Sequence, residues 1–362
     1  MTQQLLSVAA DNMDLTNKTV IKDLLKKYGG TAEKKFGQHF ILSKKALAKM
    51  IAAAEIKKGD TIVEIGPGLG TLTQELAKSG VKITAIEKDP IMAAILNETL
   101  KDFKNVKIIK ADARQLSILR INSGKKYKIV ANLPYNIATF LIHQWLESKN
   151  PPKTMVLMIQ KEVARRIVAK PPRMNLLAVS VQFYAGVKII DYVKKGSFWP
   201  QPKVDSAIIE IIPNPPATPA RTWRAGKNAA FFAVVKAGFS QPRKQLLGNL
   251  AKKLSLSKEQ LISIFKNINI SEKARAENLS LDQWRSLTFQ LNPKLYFRRT
   301  LGAILDWPPP KAGQNRESEC AEPQERGDMF RRKLGLGFRP RHLSTERDIK
   351  LAAISGFLWY NS

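Results

Sequence analysis

Between residues 61 and 212, short apolar runs alternate with longer amphipathic stretches, and that alternation leaves few folds open to the chain. Thr61 to Ile65, Lys82 to Ile86, Val106 to Ile109, Tyr127 to Ala131 and Met155 to Ile159 have the length and apolar content of buried strands. Lys45 to Ala54, Thr71 to Ser79, Pro90 to Leu100, Thr139 to Leu146 and Lys161 to Ala169 read as the intervening helices. Further apolar segments follow at Leu177 to Tyr184 and Ala207 to Ile212. The pattern predicts an α/β fold: a doubly wound, mostly parallel sheet with helices on both faces. Pro213-Asn214-Pro215-Pro216-Ala217-Thr218-Pro219 is a stiff connector that continues neither element type, so a boundary is expected there. After it, Asn228 to Phe239, Gln241 to Leu254, Ser257 to Asn267 and Ser280 to Gln290 read as helices, with Ser257 and Ser280 as caps. The expected organisation is a mixed, partly disordered N-terminal extension over 1–30, a sheet domain over 31–213, a small all-helical domain over 214–292, and a tail over 293–362 without periodicity.

Sixty Lys and Arg stand against thirty Asp and Glu, a formal charge of +30. Residues 301–362 hold ten basic and eight acidic side chains, so about +28 belongs to the rest of the chain. Such an excess attracts a polyanion from a distance. No run approaches the roughly 18 to 20 apolar residues of a membrane span, and the N-terminus lacks a secretory layout, so a cytoplasmic protein without membrane contact is expected. The single cysteine, Cys320, forms no internal disulfide, and His39, His143 and His342 make a poor ligand set, so no metal site is expected.

The strand ending at Ile65 runs into Gly66-Pro67-Gly68-Leu69-Gly70, where glycines let backbone approach a ligand closely. Glu87, at the end of the next strand, is placed to accept from ribose hydroxyls, and Asp112, after the third, from an exocyclic amine. The dinucleotide pattern G-x-G-x-x-G requires glycine where this chain has Thr71, which argues against a dehydrogenase. The spacing resembles the Rossmann-like S-adenosylmethionine-dependent methyltransferases, which implies S-adenosylmethionine as methyl donor.

Asn132-Leu133-Pro134-Tyr135 follows a later strand of the same sheet. An adenine amine is a poor nucleophile because its lone pair is delocalised. The Asn132 side-chain oxygen and the Leu133 carbonyl are two acceptors that favour the pyramidal amine, with Pro134 fixing the turn and Tyr135 stacking on the base. Positive charge developing on nitrogen is then stabilised by those dipoles, and no strong general base is required. Phe198 or Trp199, in Ser197-Phe198-Trp199-Pro200-Gln201-Pro202-Lys203-Val204, offers a second aromatic wall against which a flipped base is sandwiched.

Lys34 to Ile41, Glu64 to Thr73, Asn132 to Thr139, Gln160-Lys161-Glu162-Val163, Pro202 to Ser206 and Arg275 to Ser280 together resemble the small-subunit ribosomal RNA adenine dimethyltransferase family, over roughly Thr31 to Leu291. The resemblance implies a Rossmann-like methyltransferase sheet followed by a helical RNA-binding domain. It adds His39 and Ile41 to Gly66, Glu87, Asp112 and Asn132 around the cofactor, with Gly37 to Ile41 as a lid. The implied reaction is dimethylation of two neighbouring adenosines in the hairpin near the 3′ end of small-subunit rRNA, with the assembling 30S subunit as partner and a monomer as the acting species. Two departures bear on RNA affinity: Gln241-Pro242-Arg243-Lys244 has one arginine where family members often have consecutive ones, and Lys170 to Asn175 is a shortened loop. Two readings compete. A large-subunit rRNA adenine methyltransferase of the antibiotic-resistance type would share fold and pocket, although Leu133 and the Arg275 to Ser280 motif favour the small-subunit family. A non-catalytic RNA-binding assembly or transcription factor is opposed by the intact Gly66, Glu87, Asp112 and Asn132 set.

Overall fold

The computed structural model describes residues 13–31, 38–115, 125–214 and 228–291. The connector from Pro215 to Pro219, Lys34 to Phe36 of the motif that runs to Ile41, Gly37 of the lid segment, and the tail over 293–362 lie outside the described residues.

Seven strands form one sheet: β2 (Thr61–Ile65), β3 (Lys82–Glu87), β4 (Val106–Lys110), β5 (Lys128–Asn132), β6 (Met155–Gln160), β7 (Ala185–Val193) and β9 (Ser206–Pro213). Their spatial order is β4-β3-β2-β5-β6-β9-β7, with β9 running opposite to the other six strands. The order reverses between β2 and β5, which lie side by side with Val63 opposite Ile129. The loops leaving those two strands therefore open into one crevice, the place where ligands bind in sheets of this kind. A second, two-stranded ribbon pairs β1 (Phe40–Ile41) with β8 (Phe198–Trp199).

The central strands are apolar on both faces because both are covered. Ile129 and Ala131 of β5 and Met155, Leu157 and Ile159 of β6 enter one core, while Val130, Val156 and Met158 enter the other. The second core is closed by α2 (Lys44–Ala54) and α3 (Thr71–Ala77), and the first by α5 (Ala138–Glu147), α6 (Lys161–Ile167) and α7 (Leu176–Gln182). The α4 helix (Pro90–Thr99) starts at Asp89, whose carboxylate accepts from the Ile91 N–H at 2.8 Å.

Four features differ from the sequence expectations. First, the supposedly mixed N-terminal extension contains a ten-residue helix, α1 (Lys18–Lys27), capped by Asn17. Ile21, Leu24 and Leu25 lie on one face of it and pack with Phe40, Leu69, Met92 and Ile95. Second, the sheet has an edge strand, β7, with no two-residue alternation in its sequence, because a bulge between Ile189 and Asp191 breaks it. Third, Gln241 to Gln245 is not helical: of the four helices α8 (Asn228–Gly238), α9 (Leu246–Leu254), α10 (Lys258–Asn267) and α11 (Leu281–Leu291), the second begins only at Leu246, after Pro242. Ser257 and Ser280 cap α10 and α11 as the sequence suggests, accepting from Gln260 N–H at 3.2 Å and Gln283 N–H at 3.1 Å. Fourth, packing does not break at residue 213. Phe183 stacks on Phe231 of α8 at 4.3 Å, so the helices share the core of the sheet, and all described residues fall in one compact unit.

Candidate functional site

The crevice between β2 and β5 is lined by Gln38 to Ile41, by Glu64 and the Gly66 to Gly68 turn, by Glu87, and by Asn132 to Tyr135. Gly66 and Gly68 hold φ of +66° and +60°, a region that only glycine enters cheaply. A Cβ at Gly68 would approach the Phe40 ring at 3.2 Å, and one at Gly66 would approach Pro134 at 3.4 Å. The cofactor turn, the lid and the target turn thus crowd onto each other, and glycine is what leaves room between them.

Glu87 closes the floor. Its Oε1 accepts from the N–H groups of Lys88 at 2.8 Å and Asp89 at 2.9 Å, and its Oε2 from Gly68 at 3.2 Å. Burial pushes its pKa up, and those three backbone donors oppose the shift. Glu64 is buried more deeply, at 1% exposure, and its Oε2 has no hydrogen-bond partner among the described residues. Burial, assisted by the neighbouring Glu87 charge and opposed by the Thr73 hydroxyl, pushes Glu64 from its ordinary 4.5 up to about 8. Sequence reasoning assigned Glu64 no role. The available signal was a carboxylate inside the otherwise apolar strand Thr61–Ile65, a placement that costs stability unless something pairs with it.

On the target side, the Asn132 Nδ2 donates to the His39 carbonyl at 3.1 Å. A carbonyl only accepts, so the amide is oriented, and its Oδ1 is left for the crevice. The His39 ring is held in turn: its Nδ1 donates to the Pro200 carbonyl at 2.7 Å, and its centroid lies 5.6 Å from that of Tyr135. The Tyr135 hydroxyl shares a 2.7 Å hydrogen bond with the buried Ser206, and burial raises its pKa. Phe40 stacks on Trp199 at 6.3 Å across the β1–β8 ribbon, which fixes the lid to the segment before β9. Ser206 and Pro200 as supports carried no local signal, because their partners lie far away along the chain.

Of the residues singled out from sequence, His39, Ile41, Gly66, Glu87, Asn132, Leu133 and Tyr135 line this one crevice. Three are placed elsewhere. Phe198 pairs with Ile41 in the ribbon and turns into the core under α2 at 3% exposure, so its ring presents no face to a base. Trp199 faces Phe40 and carries the Lys22 ammonium at 6.0 Å, so it is a brace for the lid rather than an open wall. Asp112 lies outside the crevice lining, and its carboxylate already serves Arg114 at 2.6 Å and Lys88 at 3.0 Å. Those cations, Arg114 first, hold its carboxyl well below the usual carboxylate range. Among the described residues no group of three or more His, Cys, Asp or Glu is arranged to hold a metal, and no helix is long and apolar enough to cross a membrane.

A family model described as ribosomal RNA adenine dimethylase matches residues 29–292. A ribosomal RNA small subunit methyltransferase A of Dehalococcoides mccartyi is 40% identical over 271 residues, covering 74% of this chain and 91% of that protein. Its counterpart in Clostridioides difficile is 36% identical over 288 residues, covering 78% and 98%. Among solved structures, a dimethyladenosine transferase from Plasmodium falciparum superposes with a TM-score of 0.58 at 25% identity, covering 71% of this chain and 98% of that one. The 23S rRNA methyltransferase ErmE superposes with a TM-score of 0.57 at 24% identity, covering 70% and 99%, a likeness of fold.

Proposed function

The chain belongs to the ribosomal RNA adenine dimethylase family, and from that premise we propose how its crevice carries out the reaction. It is an enzyme that dimethylates adenine in small-subunit rRNA. The large-subunit alternative is set aside, since the curated relatives are small-subunit enzymes and the likeness to ErmE is one of fold. The non-catalytic alternative is not favoured by relatives that are methyltransferases.

The donor we assign is S-adenosylmethionine, which supplies an electrophilic methyl group on a sulfonium. The site fits it in two ways: the positive-φ glycines admit a ligand against bare backbone, and the buried Glu64 oxygen without a hydrogen-bond partner is an unsatisfied acceptor beside the crevice, whose carboxyl a cationic molecule would favour in its ionised form. Gly66, Gly68, Glu87, His39 and Ile41 would hold it, with Glu87 directed at ribose hydroxyls. On the target side, Asn132 Oδ1 and the Leu133 carbonyl accept the two hydrogens of the adenine amine and leave its lone pair free to attack. The charge that develops on nitrogen faces those fixed dipoles, which need no reorganisation. Tyr135, anchored through Ser206, supplies the stacking face. Two neighbouring adenosines in the 3′ hairpin of the rRNA are the proposed targets, since a loop with splayed bases can enter such a crevice. The proposed acting species is a monomer, working on assembling small subunits in the cytoplasm.

The observation that carries this reading is the Asn132–His39 hydrogen bond, because it orients the acceptor the amine requires. The test is incubation with labelled S-adenosylmethionine and unmethylated small subunits, followed by mapping of modified bases. Label recovered as dimethyladenosine near the 3′ end of the small-subunit rRNA is expected. Label in large-subunit rRNA, or none, would overturn the assignment.

A further inference from the structure

A second depression, an open groove of about 550 Å³, lies beside the crevice and plays no part in holding the donor or the reacting amine. Lys161, Arg165, Lys195 and Lys203 line it, against only Glu162 and Asp205. Asp205 is already paired with Lys161 at 3.0 Å and accepts from the Lys195 backbone N–H at 3.2 Å, and among the described residues the side chains of Arg165, Lys195 and Lys203 form no salt bridge. Tyr192, 46% exposed, gathers two of the cations: the Lys161 ammonium sits 5.5 Å and the Arg165 guanidinium 5.6 Å from its ring centre. Lys161 and Arg165 are four residues apart on α6, so they share a helix face. Cations brought together on one aromatic ring, with others nearby unneutralised, repel each other unless an anion joins them.

The groove is also fixed relative to the reaction. Asp205 in its wall precedes Ser206, the residue that anchors Tyr135, and the Asp205 carbonyl accepts from the Lys161 N–H at 2.9 Å. The groove wall and the anchor of the stacking ring are thus consecutive residues of one segment.

We propose that this groove is the seat of the RNA backbone phosphates flanking the target adenosine, with Arg165, Lys195 and Lys203 as the contacting cations and Tyr192 as a positioning residue that holds Lys161 and Arg165 in place. It rests on the function proposed above and adds where the substrate strand lies. Its purpose is register: phosphate contacts fix position, so that the correct base reaches Asn132.

The test uses the full chain and a small-subunit rRNA fragment containing the target hairpin. The double variant Arg165→Gln, Lys203→Gln should bind it at least ~10-fold more weakly at about 150 mM salt, with the slope of log affinity on log salt reduced by about 1 to 2. S-adenosylmethionine affinity, measured by calorimetry, should stay within about 2-fold, which also reports an intact fold. Tyr192→Leu should weaken RNA binding with little change of slope, and Tyr192→Phe should restore it. Replacing the phosphates on either side of the target adenosine with neutral methylphosphonates should lower the wild-type slope but leave that of the double variant unchanged. Wild-type binding with an unaltered double variant, or methylphosphonates that weaken both proteins equally, would overturn the groove assignment alone. A wild-type chain that neither binds nor methylates the fragment would overturn the function itself, and this inference with it.

Discussion

Glu64 shows at one residue how a site is prepared for a charged ligand. In the folded chain its carboxyl gives up a proton at about 8, and in the unfolded chain at its ordinary 4.5, so between those values the folded state binds more protons. Its contribution to stability is therefore complete below about pH 4.5, declines as pH rises, and is lost above about pH 8. Glu64→Gln removes that titration and keeps the shape. The donor-free variant should be more stable than wild type at pH 8 by urea denaturation, and the difference should shrink toward pH 5, while its S-adenosylmethionine affinity falls. A constant difference across that range would mean that the carboxyl is not the titrating group. Asn132 makes the complementary case for the target. Asn132→Ala removes an acceptor from the attacking amine but leaves every phosphate contact, so single-turnover methyl transfer should drop by about 10²- to 10³-fold, the range for one preorganised dipole. RNA affinity in filter binding should hardly change. Equal losses in both assays would count against the assigned role.

The α1 helix, lying before the span matched by the family model, is the element whose contribution is least visible from the motifs. Its apolar face covers Phe40 of the lid, Leu69 of the cofactor turn and Met92 and Ile95 of α4, and the Leu15 carbonyl accepts from the Thr71 hydroxyl at 3.3 Å. Lys27 and Tyr28 add hydrogen bonds to Glu98 at 2.7 Å and 2.6 Å. These contacts brace both walls of the donor site from behind. Ile21 is completely enclosed, so Ile21→Ala should cost about 2 to 4 kcal/mol in denaturant unfolding. It should also weaken S-adenosylmethionine binding more than RNA binding. Unchanged stability would show that α1 rests on the body without supporting it.

At the scale of the whole molecule, charge and pocket divide the work of binding. About +28 lies outside residues 301–362, so rRNA association must displace counterions from several phosphates. The donor proposed for the crevice presents no phosphate to neutralise. RNA affinity should therefore fall by about 10³-fold or more between about 50 and 200 mM salt, while donor affinity stays nearly level. Filter binding and calorimetry over that range check both halves. A flat RNA curve would mean that the basic surface only solvates the protein and that the base crevice alone supplies recognition.

What the sequence determined by itself was whatever is written in consecutive residues: the strand-helix alternation that makes the sheet, the glycine turn after β2, and the acceptor-bearing turn after β5. Each follows from local periodicity or from backbone requirements within a few positions. Only the tertiary structure decided which of these meet. It set β2 beside β5, carried His39 to Pro200 across 161 positions and Tyr135 to Ser206 across 71, and tied Asn132 to His39 across 93. It also turned Phe198 into the core, gave Asp112 to Arg114 and Lys88, and enclosed Glu64 with one carboxyl oxygen unpartnered. The reason is that exposure, side-chain orientation and charge pairing depend on neighbours supplied by distant segments, and no local pattern encodes which segment arrives.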